Sequence, residues 1–296
     1  MELRKRFGFE EVVVGERMEG GYANDLFRLE ADGRSLVLRL MHPPVDADDI
    51  AWEHRLVRLL AKRMPEVHAP IATPAGETIV PFGDRLGWLV PFVGAEPADP
   101  GRPVHRVEAA RALGRLHRAG SGLDLPPRPC LRPLAELEWP PLRIPSQLQA
   151  WRATITTVGA WAVSFVSELA DRRRLPRTLV HGDFFPGNVL VADDRAAAII
   201  DWEEAQVDWA TWDLASAIGS FCRVGDDLDG KAAHAFISGY RDAGGTAAPR
   251  DDDLLIPLMK VKAILEVLRA STDRHPRWEH QRHNLRFLEA VAARSL

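Results

Sequence analysis

The stretch "HGDFFPGNVL" (181–190) holds an acid, Asp183, and an amide, Asn188, on either side of a Pro-Gly pair. A second acid, Asp201, closes the apolar run "AAAIID" (196–201) shortly afterwards. Two readings compete. Gly, Pro, Asn and Asp all favour turns, so the segment could simply join two strands. Alternatively, an amide oxygen and a carboxylate are hard ligands suited to Mg2+, and a further carboxylate beside them can orient a hydroxyl. The pattern in between favours the second reading. "NVLVA" (188–192), the turn "DDR" and "AAAIID" make a short hairpin. Antiparallel neighbours lie about 5 Å apart, which returns Asp201 to the side of Asn188.

Outward from this hairpin the chain changes texture. The first ninety residues predict strands around one helix. "EVVVGERM" (11–18) is β-branched, and "NDLFRLE" (24–30) and "SLVLRL" (35–40) flank Asp32-Gly33, a hairpin signal. "DADDIAWEHRLVRLLAKR" (46–63) opens with acids and spaces Ile50, Leu56, Leu59 and Leu60 as a helix does. "ETIVPF" (77–82) and "LGWLVPFV" (86–93) predict a second hairpin, and "AEPADPGRP" (95–103) reads as a connector. Beyond it come helices over 104–120, 148–173, 212–222, 230–242, 252–271 and 276–294, with 124–147 Pro-rich and irregular. The expected organisation is a β-rich lobe over 1–93, a connector over 94–103 and a helical lobe over 104–296, with a small-molecule cleft between them.

The 296 residues are 46% apolar and carry a net charge of −4, which fits a globular chain and argues against a nucleic-acid partner. The basic run "DRRRLPR" (171–177) is local and reads as a solvated helix end. Cys130 and Cys222 make neither a zinc cluster nor a disulfide framework, in keeping with a cytoplasmic setting. "MELRKRFGFEE" lacks a signal-peptide core, and "LLIPLMKVKAILEVL" carries two lysines and is short for a bilayer span, so no membrane association is expected.

In protein kinases, His-Arg-Asp is followed after four residues by Asn and then, past a hairpin, by Asp-Phe-Gly. His181-Gly182-Asp183 and Asn188 share that spacing. "LVHGDFFPGNVLV" (179–191) with "AAIIDWEEA" (197–205) closely resembles the aminoglycoside phosphotransferase and choline kinase-like superfamily, which includes homoserine-kinase-like and antibiotic-phosphorylating enzymes. The likeness covers roughly residues 10–245 and is most specific over 179–215. It implies a bilobal, protein-kinase-like α+β fold, with a small antiparallel five-stranded sheet plus helix and a large helical C-terminal lobe. It also implies that Asp183 is the catalytic base and that Asn188 and Asp201 bind magnesium.

On the nucleotide side the resemblance matches Gly20, Gly21 and Asn24 to the family's phosphate loop, and places the adenine against the carbonyl of Pro91 and the N–H of Val93. Arg39, in "LVLRL", is the expected phosphate cation, with Glu53 of the following helix as its partner. "VDWATWDLA" keeps Asp208 and Asp213 but has Trp209 where the family often has proline; Asp213 would brace the catalytic loop, and helix capping is the alternative. His117 and His181 read as structural.

The implied activity is ATP-dependent phosphate transfer to the hydroxyl of a small molecule: an aminoglycoside or other antibiotic, or an amino alcohol. A homoserine-like metabolic kinase, a non-catalytic nucleotide-binding regulator and a protein kinase are the rival expectations. The acidic stretches "DWEEAQVD" (201–208), "GDDLD" (225–229) and "RDDD" (250–253) would suit a cationic acceptor if they line the cleft, and are otherwise solvated faces. Trp202, Trp209, Trp212 and Trp278 either stack on the acceptor or fill the core.

Overall fold

The computed structural model describes residues 2–18, 24–272 and 276–291. It opens with a helix that the sequence pattern did not predict, α1 (Glu2–Phe7). Five strands follow, interrupted by one helix: β1 (Val12–Arg17), β2 (Asn24–Ala31), β3 (Arg34–Met41), α2 (Ala47–Leu60), β4 (Val80–Phe82) and β5 (Arg85–Pro91). They form one antiparallel sheet in the order β1-β2-β3-β5-β4. Asp32 (φ +47) and Gly33 (φ +73) supply the left-handed turn that the β2–β3 hairpin needs. β4 starts only at Val80, because Thr73 and Glu77 bond each other's backbone in a turn just before it.

Alternation along the strands splits the sheet into two faces. Leu36 and Leu38 of β3, Leu29 of β2 and Leu89 of β5 face outward and pack with Phe7 and Phe9, which explains the extra helix: it seals that face from water. Arg39 and Trp88 pair across β3 and β5 on the opposite face, toward α2. Trp88 meets the His54 ring edge-on at 5.1 Å. Asp46 caps α2 by accepting the N–H groups of Asp48 and Asp49.

After β5 come β6 (Glu96–Pro97), α3 (Pro103–Gly120), α4 (Arg152–Arg172), β7 (Arg177–Val180), the hairpin β8 (Val189–Ala192) and β9 (Arg195–Ile199), β10 (Gln206–Trp209), α5 (Ala210–Phe221), α6 (Gly230–Asp242), α7 (Leu255–Ala270) and α8 (Trp278–Ala290). β6 pairs with β8, and β10 pairs with β7, a ladder not visible in the sequence. The large core is built on α3, α5 and α7; Leu113, Leu116, Ile218, Leu258 and Ile264 are fully buried. Trp52, Leu56, Val57 and Leu60 of α2 belong to this same core.

Among the described residues one helical stretch, Ser146–Arg172, is long and apolar enough by length and composition to cross a membrane. Here it buries Ile155, Ala162, Val166 and Leu169 against the helical lobe. In the basic run that follows, Arg173 pairs with Asp253 at 2.8 Å and Arg172 with Glu168 at 3.6 Å, as a solvated helix end should.

Candidate active site

The loop after β7 is held from behind. Asp213, fully buried in the first turn of α5, accepts the backbone N–H of His181 through Oδ2 (2.8 Å) and that of Gly182 through Oδ1 (3.0 Å). It lies inside the helix and spans to the loop, so it is a brace and not the helix cap. His117 Nε2 lies 3.0 Å from Asp213 Oδ2, and His117 Nδ1 lies 2.7 Å from the Tyr240 hydroxyl, which itself accepts the Ala247 N–H at 2.9 Å. With Nε2 donating to Asp213 and Nδ1 accepting from the Tyr240 hydroxyl, every donor in this buried chain has an acceptor. Burial alone would raise the Asp213 pKa, but the His117 hydrogen bond and nearby positive potential carry it below its ordinary value.

Gly182 has φ +81, and a Cβ there would fall 2.3 Å from the Glu204 carbonyl oxygen, so only glycine fits. His181 is buried; its Nε2 lies 3.0 Å from the Ile200 carbonyl, and its ring packs on Trp202 at 4.7 Å. The base candidate is therefore tied to the strand end that carries Asp201.

Asp183 sits low in the cleft with its side chain 40% exposed. Burial raises its carboxyl above the ordinary range, and Lys262 opposes that rise. Lys262 reaches in from α7, 4.0 Å from Asp183 Oδ1, 3.5 Å from the Gly182 carbonyl and 3.3 Å from Glu266. Asn188 spends both amide hydrogens on Asp183, at 3.0 Å to its carbonyl and 3.3 Å to Oδ2. Its Oδ1 is thereby turned from Asp183. The Ile200 N–H donates to the Asn188 carbonyl at 3.0 Å, setting Asp201 beside Asn188 as the hairpin pattern predicts. Asp201 adopts φ +65, a left-handed conformation that Asp tolerates at a cost and that clusters at functional sites.

Arg39 reaches from β3 across the cleft to Glu203 (2.8 Å) and Asp201 (3.5 Å), and lies over Trp88 at 5.2 Å. This corrects the expected pairing with Glu53. Glu53 is instead met by Arg128, at 3.6 Å, a residue of the Pro-rich segment that had no assigned role. Arg128 is buried, binds Asp49 (2.6 Å) and donates to the carbonyls of Trp202 and Ala205. It occupies the partner position beside α2, and the longer reach of Arg39 goes to the acids beyond β9. Burial raises Glu53 to about 7 in spite of Arg39 and Arg128.

Asn24 is buried and donates to Glu203 at 2.8 Å, so it joins the same cluster. Gly20 and Gly21 lie outside the described residues. Pro91 ends β5. Leu89 C=O accepts from Ile71 on the side away from β3, and Phe92 N–H donates to Ser35 on the β3 side. By strand alternation the Pro91 carbonyl therefore points away from β3. Val93 follows in the connector, its carbonyl accepting the Ala95 N–H at 2.9 Å. Sequence reasoning missed Glu203, Arg128 and Lys262 as individuals. Glu203 lay inside a noted acidic run, and nothing local marked the other two.

A cavity of about 510 Å³ opens beside Asp183, lined by Lys262, Glu266, Arg223 and Phe287 among others. The acidic stretches mostly stay out of it. Asp252 and Asp253 pair with Arg241 and Arg173, and Asp226 with Arg286 and His283. Trp202, Trp209 and Trp212 are buried core residues, and Trp278 packs partly buried against the core.

Residues 14–251 match the phosphotransferase enzyme family (APH). The chain belongs to that family. It is a small-molecule kinase, transferring phosphate to a hydroxyl. The homoserine kinase of Phenylobacterium zucineum is 28% identical over 225 residues, covering 74% of this chain and 68% of that protein. The fold is also that of amicoumacin kinase hAmiN bound to AMP-PNP, Ca2+ and amicoumacin (TM-score 0.75, 14% identity, 99% of this chain and 92% of that one). A microcompartment-associated aminopropanol kinase superposes with TM-score 0.72 at 15% identity, covering 98% and 94%.

Proposed function

We propose that Asp183 is the base that orients the acceptor hydroxyl and takes its proton as the oxygen attacks the γ-phosphorus of ATP and ADP leaves. The observation that carries this is the convergence of Asp183, Asn188 and Asp201 on one cleft wall, with Arg39 arriving from the other lobe. Phosphoryl transfer asks mainly for positioning and charge neutralisation, and these residues supply both.

Asn188 Oδ1 and the Asp201 carboxylate are oxygen donors of the kind Mg2+ takes, and the left-handed Asp201 holds its carboxylate 44% exposed toward the cleft. Magnesium bound there would neutralise phosphate charge. Arg39, steered by Glu203, and the Gly20-Gly21-Asn24 loop hold the nucleotide phosphates, and Pro91 and Val93 hold the base. The relative identified as a homoserine kinase and the neighbour solved in complex with AMP-PNP and Ca2+ support this reading of ATP and a divalent ion. We place the enzyme in the cytoplasm, where ATP is abundant and the free thiols of Cys130 and Cys222 persist.

Asp183→Asn should lower kcat by about 100- to 10,000-fold while nucleotide affinity holds. Asp201→Asn should weaken binding of Mg-nucleotide, measured by titration calorimetry. Unchanged turnover in Asp183→Asn would remove the assignment.

A further inference from the structure

The cavity beside Asp183 holds a guanidinium, Arg223, that no carboxylate among the described residues meets at ion-pair distance. Arg223 stacks its guanidinium on Phe287 at 4.3 Å and donates to two neutral oxygens, Asn284 Oδ1 (3.1 Å) and the His283 carbonyl (3.0 Å). Its Nε is buried with no hydrogen-bond partner, and among the described residues no carboxylate lies within 4.0 Å of it. Burial pulls it down to about 10 from the usual arginine range, with Glu266 and Asp226 too far to restore it. A charge partly withdrawn from water gains from a counter-charge, and a guanidinium's planar fork fits a carboxylate in two-point contact.

The acids nearby are already committed. Glu266 accepts from Asn284 (2.8 Å) and meets Lys262 (3.3 Å) and His280 (3.1 Å), and these contacts hold it down at about 2 against its burial. Asp226 is taken by His283 (2.8 Å) and Arg286 (2.9 Å). That leaves Asp183, the base itself, as the cavity's remaining carboxylate, already facing Lys262. An acceptor bearing an ammonium group would meet Arg223 and Lys262 with no uncommitted acid to receive it. One bearing a carboxylate would complete Arg223.

We propose that the acceptor is a carboxylate-bearing alcohol whose anionic end is held by Arg223, and not a purely cationic amino alcohol or aminoglycoside. This rests on the kinase reading of the Asp183 site and specifies its substrate class. It reverses the expectation drawn from the acidic stretches, which the fold directs elsewhere.

Three probes isolate the two charges: 4-hydroxybutyrate (carboxylate only), L-homoserine (both) and 3-aminopropan-1-ol (ammonium only). With full-length protein and Mg-ATP, ADP release and product mass give kcat and KM for each. The expected kcat/KM for the carboxylate probes exceeds that for aminopropanol by about 10-fold or more. Arg223→Gln should raise KM for the carboxylate probes about 10- to 100-fold, leaving KM for ATP and for aminopropanol in place. Should Arg223→Gln fail to fold, Arg223→Lys keeps the cation on Phe287 but loses the fork, and should raise the same KM several-fold. Preference for aminopropanol, or an Arg223 variant with unchanged KM for both carboxylates, overturns the proposal. If no probe is turned over, equilibrium binding in Mg-AMP-PNP decides: carboxylate binding that is lost with Arg223 supports it, and no carboxylate binding overturns it. Asp183-dependent transfer to the hydroxyl of aminopropanol alone would leave the kinase standing without this inference. Arg223-dependent carboxylate binding with no transfer to any acceptor would do the reverse.

Discussion

Arg39 Nη2 lies 2.8 Å from Glu203 Oε1, and with its longer contact to Asp201 at 3.5 Å this joins β3 of the small lobe to the chain after β9 across the cleft. Asn24 donates to the same carboxylate oxygen, which makes Glu203 the meeting point of two residues of the small sheet, both proposed to face the nucleotide. Arg39→Met should raise KM for ATP by about 10- to 100-fold with a smaller change in kcat. Glu203→Gln should raise it less than 10-fold, because a carboxylate 38% exposed is partly screened by water. Separate determination of KM and kcat for both variants checks the order.

Asp213 accepts three donors inside the core: the N–H groups of His181 and Gly182 and the His117 ring. Asparagine offers one oxygen in place of two and turns an amide hydrogen on a donor. Asp213→Asn should cost about 2–4 kcal/mol of stability and should also lower kcat, since Asp183 follows the braced loop directly. Denaturant melts and steady-state turnover on the same preparation test both.

Gly182→Ala places a methyl against the Glu204 backbone in a left-handed conformation. Backbone oxygen cannot yield as a flexible side chain does. The loop must move, and Asp183 with it, so kcat should fall by at least about 10-fold even where the variant stays folded. Circular dichroism confirms folding and a kinase assay reads the loss.

Glu53 sets a pH dependence of stability. Its pKa rises from an ordinary 4.5 to about 7 in the fold, chiefly through burial. The folded state therefore binds its proton more tightly than the unfolded chain. The contribution is fully present below pH 4.5 and is lost as pH rises through 7. Asp208, raised to about 6 by burial, acts in the same sense. Glu53→Gln removes the Glu53 part alone, so between pH 5 and 8 the stability difference should shift on the order of 1–3 kcal/mol in favour of the variant. Melts across that range that run parallel for the two proteins would contradict it.

What the sequence made legible was what local pattern encodes. The β2–β3 and β8–β9 hairpins announce themselves by Asp32-Gly33 and by a run of acids tolerant of left-handed turns, and Asp183, Asn188 and Asp201 fall where their spacing placed them. Pairings across long sequence separations were not legible. Arg39 lies 162 residues from Asp201 and 164 from Glu203, and Arg128 lies 79 from Asp49, so only the folded chain decides which acid each arginine meets. α1 escaped notice because its value is tertiary: six residues are too few to be stable as an isolated helix, and Phe7 seals a sheet that the sequence does not display.

The allegiance of α2 has a consequence for how the molecule comes apart. Its Trp52, Leu56, Val57 and Leu60 are embedded in the large core, and Arg128 fastens it to the carbonyls beside Asp201. The sheet shares only its Trp88 face with that helix and keeps a separate, smaller core on the other. In native-state hydrogen exchange the amides of β1 to β5 should form the earlier-opening cooperative unit, and those of α2 should exchange with α3 and α5 at the global limit. On this packing the seam along which the protein first yields should run through the small lobe, between its sheet and its helix, and not along the cleft that holds Asp183.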